Sequence, residues 1–187
     1  MFGPLTKFGQ GAYEAVKRFS YGNIFQIEKT TGPDRLVIAP NENQIDILLL
    51  LAGLWDEGYF LLYILLVPRL SKREQGRYQS SGPLSFKEAE DFCTAFKPFL
   101  ETDGRHHFWI GSANGNGTLV YDQHNVIYAY GDTARYIEFL KQIGFKEDSV
   151  SIPVPHSHYY HAQNDKFEDE LMEYWEWKWS PLQPSDE

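Results

Sequence analysis

The sequence predicts a single α+β domain with a largely antiparallel sheet, and three observations predict it. Helical stretches occur singly between hairpin-like pairs, without the regular strand–helix–strand alternation of a parallel sheet. Two turns rich in Asn, Gly and Asp divide residues 107–130 into three short strands, a C-terminal β-meander. A hydrophobic content of 42% over 187 residues supplies one ordinary core. About four helices are expected to pack on this sheet, and the domain is expected to span 1–187, with the acidic, Trp-rich segment 164–187 at its periphery.

Residues 10–19 read as a short helix. Residues 21–30 and 36–38 form a hairpin around Thr31, Gly32, Pro33 and Asp34. Asn41 is expected to cap a helix running to residue 54, with Ile45, Leu48, Leu49 and Ala52 at i, i+3, i+4 and i+7. Ile47, Leu50, Leu51 and Leu54 flank that stripe, so the helix is expected to be central. The apolar run 59–67, closed by Pro68, reads as a central strand, and the polar stretch 71–83 as a loop. Ser85 and Glu88 form a capping box that opens a helix burying Phe86, Ala89, Phe92, Cys93 and Phe96, and Pro98 is expected to kink or end it near Lys97. Strands follow at 107–111, 118–121 and 126–130. Asp132 or Thr133 caps a helix carrying Tyr136, Phe139, Leu140 and Ile143, which Gly144 closes. Residues 150–152 read as a short strand. A last helix, capped by Asn164 or Asp165, presents Phe167, Leu171, Tyr174 and Trp175.

Charge is placed unevenly. Residues 1–80 carry 9 basic and 8 acidic side chains, whereas residues 81–187 carry 8 and 18, out of a total net charge of −9. An acidic surface repels phosphates, so neither nucleic acid nor an anionic membrane is an expected partner. No apolar stretch approaches the ~20 residues that span a bilayer, and residues 1–7 lack the apolar region of a secretory leader. A cytoplasmic location is expected. Cys93 is the single cysteine and lies on an apolar helix face, so it is read as core.

Four constellations carry candidate chemistry. His156, His158 and His161 lie close together, with Asp165 just beyond. On an extended segment His156 and His158 share a face, and with His161 and Asp165 they offer ligands to a divalent metal, zinc or manganese. Asp122 and His124 form a second pair, in which a carboxylate could orient an imidazole as general base, although both residues also suit a turn. Arg73, Arg77 and Tyr78, near Arg69 and Lys72, suggest a clamp for an anion. Residues 164–187 hold 8 acidic and 2 basic side chains. There Trp175, Trp177 and Trp179 beside Glu168, Asp169 and Glu170 resemble a hot spot for a basic surface. The glycine-rich stretch 111–117 lacks both the lysine and the following helix of a phosphate cradle.

Three functions follow from these readings. The first is a cofactor-free, non-enzymatic binding protein of bacterial type that captures a basic protein partner, as an immunity or antitoxin-like inhibitor does. The second is a metal-dependent hydrolase using His156, His158 and His161. The third is a module for a small anionic ligand.

Overall fold

The computed structural model describes residues 5–11, 17–68 and 73–186. Its elements follow in the order β1 (Phe8–Gln10), β2 (Lys17–Arg18), β3 (Ile24–Glu28), β4 (Arg35–Ala39), α1 (Gln44–Ala52), β5 (Tyr59–Leu65), β6 (Gly76–Ser80) and α2 (Phe86–Thr102). The chain continues through β7 (His106–Ser112), β8 (Gly117–Tyr121), β9 (Ile127–Gly131), α3 (Thr133–Gln142), β10 (Lys146–Glu147), β11 (His156–His158), α4 (Asp165–Tyr174) and β12 (Trp177–Ser180). Among the described residues this is a single α+β domain with four α-helices. Nine strands form one sheet in the order β10-β3-β4-β9-β8-β7-β5-β6-β12, and β11-β1-β2 form a small second sheet. Every pairing is antiparallel except that of β10 with β3.

Membership of the main core alternates along β4, β7, β8 and β9 and separates the two faces of the large sheet. Leu36 and Ile38, Phe108 and Ile110, Leu119 and Tyr121, and Ile127 and Ala129 join one core with side chains from all four helices. The intervening positions, including Arg35, His107, Trp109, Val120 and Tyr128, point to the other face. The helices therefore cover one face and leave the second for a cavity.

Several elements depart from expectation for identifiable reasons. Residues 10–19 hold parts of β1 and β2 where a helix was expected, and 12–16 lie outside the described residues. Residues 76–80 form β6, not a loop, because β5 and β12 supply hydrogen bonds on both sides of a polar strand. Helix α1 begins at Gln44, and its N-cap is Asn43 in the left-handed region, not Asn41. It is not enclosed on all sides, since Leu50 is 48% exposed. Helix α2 runs through Pro98 to Thr102, because continuing it seats Phe99 and Leu100 in the core. The strand expected at 150–152 is absent, and its neighbour β11 pairs with β1 instead. The capping box of Ser85 and Glu88 is formed, Asp132 caps α3, and Cys93 is buried in the core.

Residues 164–186 contribute to the body of the domain. Leu171 and Met172 of α4 belong to the core, and β12 pairs along β6. No helix among the described residues is long and apolar enough to cross a membrane.

Candidate metal centre

The turn between β8 and β9 is built by Asp122. Its Oδ1 accepts the backbone N–H groups of His124 (2.8 Å) and Val126 (2.9 Å), and Asn125 adopts a positive φ of 62°. The other oxygen, Oδ2, lies 2.8 Å from Nδ1 of His124. A carboxylate only accepts, so Nδ1 carries the proton and Nε2 of His124 is left with its lone pair free.

Strand β11 brings two more imidazoles to this point. It pairs with β1 so that Phe8 faces His158 and Gln10 faces His156, which puts both histidines on one side of the strand. Nδ1 of His156 lies 2.9 Å from the carbonyl of Pro153, which likewise places its proton on Nδ1 and frees Nε2. Nδ1 of His158 is buried without a hydrogen-bond partner among the described residues. Burial, then the neighbouring His124 and His156, push the His158 imidazole down to about 4, so it is neutral throughout the neutral pH range.

His124, His156 and His158 thus form a three-histidine group whose ligand atoms all lie within 4.8 Å of one another. Their ring centres are 4.8, 5.2 and 5.3 Å apart. Tetrahedral zinc with Zn–N bonds of about 2.0–2.1 Å would set imidazole centres about 5 Å apart. The fully buried ring of Phe8 packs against all three, at 5.4 to 5.8 Å between ring centres.

The sequence groups His161 and Asp165 with His156 and His158 as metal ligands and offers Asp122 and His124 only as an assisting general-base pair. The third imidazole is that of His124. Nε2 of His161 sits 3.0 Å from the carbonyl of Thr6, and Asp165 begins α4. The remaining histidines divide by strand parity. His106 is buried between Tyr63 and Phe99, while His107 lines the cavity on the opposite face.

That cavity, of about 560 Å³, opens beside His124 and Asp122. Trp109, Val120 and Tyr128 line its middle, and Arg35 and Tyr130 line it further along the sheet. Burial pushes the His107 imidazole down to about 4, and its Nε2 and the indole Nε1 of Trp109 are both buried without hydrogen-bond partners among the described residues. No candidate constellation read from the sequence contains His107, Trp109 or Arg35. The signal lay in the alternation of β7, where Phe108 and Ile110 mark the core face and His107 and Trp109 the other.

The other candidate groups are dispersed. Arg77 and Tyr78 are consecutive in β6 and so face opposite ways, which breaks the expected anion clamp. Arg77 lies 3.5 Å from Asp186 and over the ring of Trp109, whereas Tyr78 packs on the core. Arg73 is 3.7 Å from Asp169. Arg69 and Lys72 lie outside the described residues. In the acidic tail, Trp175 stacks on Phe92 at 4.8 Å, Trp177 donates to the carbonyl of Leu171 (3.1 Å), and Glu168 is buried. Trp179 and Glu170 face solvent. The expected hot spot is therefore not a continuous surface.

With this geometry in view, comparison with known proteins finds no matching family model, no matching curated protein and no matching solved structure.

Proposed function

We propose that His124, His156 and His158 hold one divalent cation, zinc, and that the protein is a metal-dependent hydrolase acting on a small molecule. The observation that carries this reading is the hydrogen bonding of the ring nitrogens. Two of the three converging histidines already donate Nδ1–H to an oxygen, the arrangement that orients an imidazole toward a metal and raises its basicity. Three neutral imidazoles suit zinc better than manganese, which favours carboxylate ligands. Three protein ligands also leave a fourth position for water, as in catalytic and not structural zinc sites. Bound zinc supplies a water that ionises near neutral pH. Phe8 shields the imidazoles on one side, and the cavity beside His124 gives a substrate room on another.

Elemental analysis of untagged protein tests the centre. One zinc per chain is expected, lost in His124→Ala and His158→Ala and kept in His161→Ala. Protein that stays zinc-free after dialysis against micromolar zinc overturns the proposal, as does dependence on His161 in place of His124. Cobalt substitution tests the water ligand. A four-coordinate visible spectrum that changes with pH near neutrality is expected, and a pH-invariant spectrum removes the hydrolytic reading.

Capture of a basic protein draws its support from the net charge of −9. Two of the three tryptophans meant to anchor that partner are packed against the core, which makes it the weaker reading.

A further inference from the structure

The cavity's lining carries information about what occupies it. Among its described lining residues Arg35 is the one permanent cation. Its guanidinium is held from several sides. Nε donates to Glu28 Oε2 (2.6 Å), NH1 donates to the Tyr130 hydroxyl, and the group lies over the ring of Tyr128 with Cζ 4.6 Å from the ring centre. NH2 makes no hydrogen bond among the described residues, so one edge of a pre-oriented fork remains for an acceptor. The indole N–H of Trp109, one of the lining residues, is buried and has no acceptor among the described residues. An indole nitrogen only donates, and leaving it unpaired in an apolar surround costs about 1–3 kcal/mol.

The spacing of these groups sets the shape of a ligand. Thr118, which pairs with Tyr130 in the sheet register, and Asp122 both line the cavity. They are four residues apart along one extended segment, about 13 Å. The histidine end and the arginine end are thus separated by the length of a small, elongated molecule, with the flat surfaces of Trp109 and Tyr128 between them.

We infer that this cavity binds an elongated arylalkyl carboxylate or a closely similar organic anion, its negative group on Arg35 and its flat portion on Trp109 and Tyr128. The inference rests on the metal-dependent reading only in assigning the group to be hydrolysed to the His124 end. Anion binding at Arg35 is independent of the metal.

Titration of the 15N-labelled full-length protein with 3-phenylpropanoate and 4-phenylbutanoate, and with their uncharged amides, tests it. The probe is the Trp109 indole N–H resonance, assigned with Trp109→Phe. The carboxylates are expected to move this resonance at millimolar concentration or below and to bind at least tenfold more tightly than the amides. Arg35→Gln is expected to remove that preference, and Arg35→Lys to retain part of it. The unchanged remainder of the indole spectrum reports that each variant is folded. Absence of any Trp109 shift, equal binding of amide and carboxylate, or a preference that survives Arg35→Gln overturns the inference. Each titration is run with and without EDTA. Binding that requires zinc places the anion on the metal and also overturns it, whereas a failed metal centre leaves the EDTA result intact.

Discussion

Asp122 performs two tasks with one carboxylate, closing the β8–β9 turn through Oδ1 and orienting His124 through Oδ2. Asparagine retains an acceptor for the turn but lacks the negative charge that holds the Nδ1–H and raises the basicity of Nε2. Asp122→Asn is therefore expected to weaken zinc binding about 10–100-fold, read by chelator competition, while the fold persists. Unchanged affinity contradicts the orienting role. Lys7 is a second residue whose effect can be signed. It is fully buried, its Nζ has no hydrogen-bond partner among the described residues, and it lies 3.8 Å from the ring centre of Tyr121. Burial, opposed by Asp122, Asp103 and Glu101, lowers its ammonium from 10.5 to about 7. Between those two values the unfolded chain binds more protons than the folded one, so stability rises with pH across that window. The penalty is fully present below about pH 7 and gone above about pH 10.5. A cation–π contact contributes about 2 kcal/mol when desolvated, less than the cost of burying the charge. Lys7→Met is expected to stabilise the protein by about 2–4 kcal/mol at pH 6 and to flatten the rise toward pH 10. Urea melts at the two pH values check this, and a variant no more stable at pH 6 refutes it.

Strand β11 depends on close contacts to hold His156 and His158 opposite His124. Its register is set by β1, and just beyond it Gly104 N–H donates to the Tyr159 carbonyl (2.7 Å). A Cβ at Gly104 would lie 2.6 Å from the Lys7 carbonyl and 3.0 Å from Cβ of His158. Gly104→Ala is thus expected to push β11 and β1 away from the large sheet. The expected cost is about 1–3 kcal/mol of stability together with weaker zinc binding. A variant with normal stability and normal affinity shows that this contact does not seat the strand. Helix α2 makes the complementary point about local rules. Pro98 removes one backbone donor, but Phe99 and Leu100 bury fully on the far side of it, and tertiary packing carries the helix past the break.

For the whole molecule, the centre lies where two sheets meet. His124 belongs to a turn of the nine-stranded sheet, and His156 and His158 to the three-stranded one. A cation bound by all three would tie the small sheet to the large. Zinc in about thousandfold excess over its Kd adds about 4 kcal/mol to stability. For a chain of this length that raises Tm by on the order of 10 °C. Calorimetry with and without EDTA checks this, and His161→Ala is expected to retain the shift while His158→Ala loses it. A Tm indifferent to zinc contradicts a site that bridges the two sheets.

Local pattern in the sequence was enough for much of the fold. The capping box at Ser85, the Asp132 cap, the meander turns and the apolar run at Tyr59 each place their chemistry within a few residues, where periodicity and turn preference act. It was enough as well for the shared face of His156 and His158, because extended backbone repeats every two residues. Pairing partners were beyond its reach. The polar strand β6 exists only because β5 and β12 flank it, and β1 only because β11 and β2 do. The third imidazole was decided in the same way. His124 is 32 residues from His156 in the chain, and only the docking of one sheet on the turn of another makes them neighbours. Arg35, His107 and Trp109 share a cavity for that reason too, since strand order and register, set by long-range packing, determine which outward-facing residues meet.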